Sequence, residues 1–376
     1  VKFDGYVEER WEDNGLKVEH KDYNTVIAVP YEMMISGHDT KAVNELVLWS
    51  AKSPNYLDMS AFSRGEYLKS VEQNAMAEAI SKVLYPADNH YEGKSLRLKQ
   101  QYFLVSASIQ DIMRRHLREH GSIDNMPEKM AIHINDTHPT LVIPEIMRIL
   151  LDECGYGWDD AFRIVEECCA YTNHTVMAEA LECWGEDLFK RLLPRIYQIT
   201  KEIDNRFRKK IWDATGDAGK VERMAVISGG AVKMANLCVA VCHKVNGVSA
   251  LHSQILKDTV FNEFYTLEPD KFTNVTNGIA HRRWLCQANP RLTSMLTDLI
   301  GNGFVYDASE LEKLKAECDD IAEKLELLLK DVQAQQENCS AVTAELEGCK
   351  AEITALGEDK IRVEGVLALK EGNLKN

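Results

Sequence analysis

Two short polar strings hold the residues best suited to face a ligand. The first, Asn135-Asp136-Thr137-His138-Pro139, follows residues 130–134, which alternate like a short strand, and opens a helical pattern. The second, Thr172-Asn173-His174-Thr175, interrupts two runs whose apolar residues recur at helical spacing, and no turn chemistry requires a histidine there. Strand ends and helix starts are where open α/β sheets place their ligands, so Asp136, His138 and His174 are candidates for one wall of a cleft. Residues of these types also serve as helix caps or satisfied loop contacts, and their spacing alone leaves that alternative open.

Positioning such a wall requires a scaffold, and the chain supplies the signals for one. Residues 1–55 read as sheet, with apolar runs at 25–29 and 46–49 each closed by a proline-containing turn. The 3.6-residue period predicts helices over 65–84 and 95–119, joined by the polar loop 87–93. Further helices are expected over 141–154, with Pro144 in the first turn, and from a cap at Asp159 through Cys169. Another long pattern from 188 to 207 is split at Pro194, and helices near 232–244 and from 249 flank an expected Asn246-Gly247 turn. Gly216-Asp217-Ala218-Gly219-Lys220-Val221 lacks the spacing and the hydroxyl residue of a phosphate loop.

The 376 residues are enough for about two domains. A hydrophobic share of 45% with 27% charged residues is that of an ordinary soluble protein. A net charge of −15 argues against nucleic acid and anionic lipid as partners. No stretch approaches the ~18 apolar residues of a membrane helix and no signal-peptide pattern opens the chain. The ten cysteines form no Cys-x-x-Cys pair, which suits reduced, mostly buried thiols and a cytoplasmic location.

Five strings in order, LYPADNHYEGKSLRLKQQYF from Leu84, HINDTHP from His133, AYTNHTVMAEALE from Ala170, VNGVSALHSQILK from Val245 and KFTNVTNGIAHRRWL from Lys271, closely resemble the α-glucan (glycogen and maltodextrin) phosphorylases. The resemblance runs from Val1 to about Lys315. It implies an α/β fold, the N-terminal Rossmann-like domain portion of a GT-B phosphorylase, and an activity: phosphorolysis of α-1,4-glucan by orthophosphate to glucose 1-phosphate. By the same resemblance His174 and Asp136 are catalytic-site residues. Asn277, His138, Asp88 and Asn89 bind substrate, the last two from a loop that gates the cleft, and Glu179 lies near the site. The family's cofactor is pyridoxal phosphate, whose lysine belongs to a second domain not recognisable in this sequence, so no cofactor-binding residue is assigned here.

Beyond residue 310 the pattern changes. Leu311, Cys318, Leu325, Val332, Cys339, Leu346, Ile353 and Leu367 share one heptad position, and Leu314, Ile321, Leu328, Val342, Cys349, Leu356 and Val363 share the other. Of the 19 seam positions from Leu311 to Leu374, 16 are apolar, the exceptions being Gln335, Lys360 and Lys370. That predicts a long helix or coiled coil, with a homo-oligomer as its consequence. The expected organisation is therefore a partial N-terminal phosphorylase domain over 1–280, the start of a second domain over 281–310, and a coiled coil over 311–376. Three readings stand side by side: part of a glucan phosphorylase, incomplete and inactive by itself; a glucan-binding module without turnover; or a coiled-coil assembly protein.

Overall fold

A computed structural model describes residues 1–12 and 15–373; the last seam position, Leu374, lies outside the described residues. The chain forms two compact units, Val1–Asn277 and Gly278–Asn376.

In the first unit the leading residues are indeed sheet. Tyr6–Glu12 pairs antiparallel with Gly15–Lys21, and Ile27–Ser36 pairs antiparallel with Val43–Lys52. Pro30 closes no turn: it sits inside the second ribbon, opposite Trp49. A two-stranded ribbon points every second N–H away from its partner, so an edge proline is accommodated. Helices Tyr67–Lys82 and Tyr91–His120 follow. The longer one buries Leu98, Tyr102, Val105, Ile109 and Met113, a stripe of period near 3.6 that faces the core. It starts at Tyr91 because His90 accepts from the Gly93 amide through Nδ1 at 3.0 Å, capping the helix four residues before the sequence pattern places its start.

At the centre lies a parallel sheet of four strands in sequential order: Ile132–Asn135, Cys169–Thr172, Lys244–Gly247 and Phe272–Asn274. Two of these strands overturn expectations. The run after helix Trp158–Cys168 is strand rather than helix, Gly157 rather than Asp159 occupies the N-cap, and Ala178–Ala180 beyond it is a single 3₁₀ turn. Asn246-Gly247 is no turn either, because Asn246 pairs with both Thr172 and Thr273 inside the sheet. Glycine is required at 247 for close approach: a Cβ there would lie 2.7 Å from Ser253 Oγ and 2.8 Å from its amide. Lys244 opens this strand, and the helix before it spans only Met234–Val241.

Helix Val142–Arg148 packs against helices Tyr91–His120, Trp158–Cys168 and Pro194–Thr215, so every residue from Val142 to Met147 is buried, Glu145 included. It widens to i→i+5 hydrogen bonding over Ile149–Glu153. Pro194 divides helices Glu186–Leu192 and Pro194–Thr215 as expected, and Asp217 caps helix Ala218–Met224, which makes that glycine-containing stretch a helix start. All ten cysteines are unbonded thiols; four are buried, fewer than the sequence suggested, and the three in the tail are exposed.

The second unit has a small core around Leu296 and Phe304 and helix Pro290–Ile300. It continues into one helix, Lys313–Asn373, of 61 residues, which at ~1.5 Å per residue is roughly 90 Å long.

Candidate functional site

All four parallel strands end at the same edge, and backbone hydrogen bonds continue one to three residues past them. Asp136 N donates to Thr172 O at 3.0 Å, Asn173 N to Asn246 O at 3.0 Å, Val275 N to Gly247 O at 3.2 Å and Asn277 N to Val248 O at 2.9 Å. These bonds fix where Asp136, His174 and Asn277 leave the sheet without using their side chains. Asp136 adopts φ +64°, a left-handed conformation that Asp tolerates better than most residues, and its Oδ1 accepts from the Thr137 amide at 2.7 Å. His174 and Asn277 are exposed. The His174 ring is held from one side, with Nε2 2.5 Å from Asn135 Oδ1, which leaves Nδ1 and the main chain to meet a ligand. Beneath them runs a polar ladder across three strands: His133 Nε2 meets Thr172 Oγ1, which donates to Asn246 Oδ1 at 2.9 Å.

His138 is anchored by a group outside the sequence-derived set. Its Nδ1 lies 3.0 Å from Glu182 Oε2. Glu182 keeps only 11% of its side chain exposed against 46% for His138, and it also accepts from Gln101 Nε2 at 3.0 Å and Trp184 Nε1 at 3.2 Å. A carboxylate fixed by three donors is a rigid mount, and its hydrogen bond raises the His138 pKa above the ordinary value, with partial burial opposing. The free Nε2 edge of His138 stays available to a ligand.

The loop carrying Asp88 and Asn89 is tied to the same edge. Asp88 pairs with Arg97; the Arg97 guanidinium lies 5.8 Å from the Tyr85 ring centroid, and Tyr85 meets the His138 ring edge-on at 6.4 Å. Asp88 and Asn89 are both exposed. The six sequence-derived residues therefore fall into a sheet-edge group (Asp136, His138, His174, Asn277) and a loop group (Asp88, Asn89) linked to it through Arg97 and Tyr85. Glu179 stands apart from these hydrogen bonds, exposed in its 3₁₀ turn.

The family model described as "Carbohydrate phosphorylase" matches residues 1–361. The chain belongs to this family. Its α/β body is a portion of the GT-B phosphorylase fold, here joined to a long C-terminal helix, and the match extends past residue 315 into that helix. Among similar proteins, the muscle form of glycogen phosphorylase from Ovis aries is 45% identical and that from Homo sapiens 46% identical, each over 339 residues. The brain form from Rattus norvegicus is 45% identical over the same length. Each alignment covers 87% of this chain and 40% of the relative, so the chain spans well under half the length of the phosphorylases it matches. Among the described residues of this family member no helix is long and apolar enough to cross a membrane.

Sequence reasoning missed Glu182, Gln101, Tyr85 and Arg97. The signal for Glu182 was present, since it closes the string AYTNHTVMAEALE. Only the short antiparallel strand Cys183–Gly185, which follows it directly and pairs with Ala231–Lys233, shows that it points back toward His138 rather than Glu179 doing so.

Proposed function

We propose that this chain is the glucan-facing wall of a carbohydrate phosphorylase: it binds α-1,4-glucan along the C-terminal edge of its parallel sheet and does not by itself catalyse phosphorolysis. The observation that carries this reading is the convergence on one sheet edge of residues from three separate connections, held by backbone hydrogen bonds rather than by one another. In this reading His174 and Asn277 orient the hydroxyls of the glucosyl unit, and Asp136 and His138 line the acceptor side. Asp88 and Asn89 sit in the loop that gates entry. Residues 1–280 form the partial N-terminal domain, 281–310 the start of the second, and 311–376 the coiled coil.

Turnover needs a proton donor and a site for orthophosphate. By the family resemblance, the phosphate of pyridoxal phosphate would supply the proton and separate basic residues would hold orthophosphate; the cofactor's imine linkage requires a lysine that can lose its proton in a protected pocket. Among the described residues one lysine is buried, Lys271, and its ammonium is committed to the carbonyls of Val239 at 3.3 Å and Ala240 at 3.2 Å, with Glu268 at 3.3 Å. It also precedes strand Phe272–Asn274, which puts it at the opposite end of the sheet from Asn277. The residues present do not fit the cofactor, and no step is assigned to it.

Titration of the full chain with maltoheptaose is expected to show weak binding, Kd about 1 mM or above, that is lost in His174→Ala and Asn277→Ala. Incubation with maltoheptaose, orthophosphate and pyridoxal phosphate is expected to release no glucose 1-phosphate. Phosphate-dependent release, or a single phosphopyridoxyl-lysine after borohydride reduction, would overturn the claim of inactivity; binding unaffected by both substitutions would overturn the site.

A second reading, assembly, has its own support. From Cys318 to Lys370 the long helix leaves its apolar seam open to solvent, and helices in proteins owe most of their stability to packing of such a face. The tail accordingly joins copies of the chain. A cytoplasmic location fits ten unbonded thiols.

A further inference from the structure

The assembly reading leaves open how the copies are arranged, and three features of the tail bear on that. The first is the seam itself. Over residues 318–356 its aliphatic side chains, from Val332 at 52% to Ile353 at 69%, are largely exposed, with none of their own unit packed on them. At roughly 80 Å² per seam side chain, two such seams would remove about 1,900 Å² from water, within the range of a stable interface.

The second is charge. With Leu311 in position a and Leu314 in position d, the g flank from 317 to 352 carries four acids (Glu317, Asp331, Glu345, Glu352) and one lysine, Lys324. The e flank from 322 to 357 carries Lys350 and no acid. An antiparallel pair lays g against g, setting an acidic flank against its own copy. A parallel pair lays g against the e position five residues on, so Glu345 meets Lys350 on both sides of the axis and no like charges face each other in this span.

The third is the identity of the layers. Gln335 is the one polar seam residue between 318 and 356. In register its amide meets a second amide; out of register it is buried against an apolar side chain, at the cost of an unpaired polar group. All three tail cysteines, Cys318, Cys339 and Cys349, lie on the seam, so the in-register parallel arrangement sets each against its own copy. Three such small side chains among twelve layers make a narrow core, which suits two strands better than three or four.

We propose that the tail is a parallel, in-register, two-stranded coiled coil between two copies of this chain, formed over residues 318–356 and fixed by the Glu345–Lys350 pairs and the Gln335 layer. The proposal rests on the assembly reading, and its test separates the two. The full chain, with Cys154, Cys183, Cys286, Cys318 and Cys339 changed to Ser so that Cys349 is the only seam thiol, is oxidised with copper–phenanthroline. A second sample with Ser340→Cys at an outward position and Cys349→Ser serves as control. Sedimentation equilibrium in dithiothreitol is run in parallel on the full chain and on Leu328→Lys/Leu346→Lys. The expected results are a dimer mass under reduction and a monomer mass for the double variant. Near-complete covalent dimer is expected through Cys349, with at least tenfold less through the control thiol. A reduced dimer without Cys349 cross-linking overturns the parallel register while leaving assembly intact. A monomer under reduction, or a dimer that survives the double substitution, overturns the seam as the interface. Circular dichroism guards the double variant against a folding artefact: the tail is expected to lose helix while the first unit keeps its melting transition. Maltoheptaose binding by the same samples reports on the sheet-edge wall independently.

Discussion

Changing Glu145 to Gln is expected to cost the first unit about 3 kcal/mol, at the lower end of the 3–5 kcal/mol typical for removing one partner of a buried ion pair. Glu145 lies on a helix that begins just after His138 and is buried on all sides. Its carboxylate accepts from Tyr102 Oη and Ser106 Oγ at 2.7 Å each and from Arg148 Nε and Nη2 at 2.9 Å each. An ionised group with no exposure is tolerated only when so fully satisfied. The amide keeps the shape but loses the charge and turns an NH₂ toward groups that are already donors. Arg148 retains Glu153 at 2.6 Å, which keeps the loss at the low end. With a urea slope of about 3 kcal/mol per M, the midpoint should fall by about 1 M. Against a total stability of roughly 5–15 kcal/mol this is a large fraction. Urea unfolding followed by tryptophan fluorescence reads it. In a double-mutant cycle, Arg148→Met combined with Glu145→Gln should cost at least 1 kcal/mol less than the two single changes added together. A midpoint shift below about 0.2 M at unchanged slope, or a strictly additive cycle, would refute the claim that this cluster holds the helix.

Glu182→Gln is expected to lower the titration midpoint of His138, read from its ring proton by NMR. The pair's stabilisation is fully present below the unfolded-state value of about 6.5 and is lost as pH rises through the raised folded value, so an unmoved midpoint would remove Glu182 from the site. Gly247→Ala forces a Cβ into Ser253 and should destabilise by about 1–3 kcal/mol in the same urea assay, with an unchanged midpoint counting against the close approach. His174→Ala should leave stability within about 0.5 kcal/mol, because the ring is exposed, while maltoheptaose binding disappears. The full chain should bind a long glucan at least tenfold more tightly than Leu328→Lys/Leu346→Lys does, through two linked walls, while maltotriose affinity stays equal; equal affinity for the long glucan would mean the tail adds no avidity.

Periodicity carried the long helices and the tail because a solvent-facing helix must alternate faces, and those patterns survive in the chain. It failed where both faces are buried. Cys169–Thr172 is a short apolar run flush against a helix, and a parallel strand covered on both sides has no alternation to read. Asn246-Gly247 has the local chemistry of a turn, yet pairing with two neighbouring strands overrides it, and the glycine answers to Ser253 rather than to a positive φ. For the proposed site, the candidate residues Asp136, His138, His174 and Asn277 were legible because they sit in recognisable strings that the structure places just past strand ends. The mount of His138 was not, since Gln101, Glu182 and Trp184 meet through side chains separated by up to 81 residues.

That division bears on what such a wall can do. His138, His174 and Asn277, the exposed members of the proposed wall, are placed by main-chain bonds just past the strands and, for His138, by Glu182, so the geometry of this edge is set within the first unit. Orientation of this kind is worth several kcal/mol of a barrier only when the reacting groups face each other with water excluded. A sugar bound to the proposed wall alone keeps its far-side hydroxyls hydrogen-bonded to solvent, so each contact made to His174 or Asn277 would replace a water contact of nearly equal strength. On those terms the proposed wall is expected to recognise the sugar weakly and without turnover. Under the proposed pairing of tails, a second weak wall linked to the first would strengthen binding without adding a single new contact to the sugar.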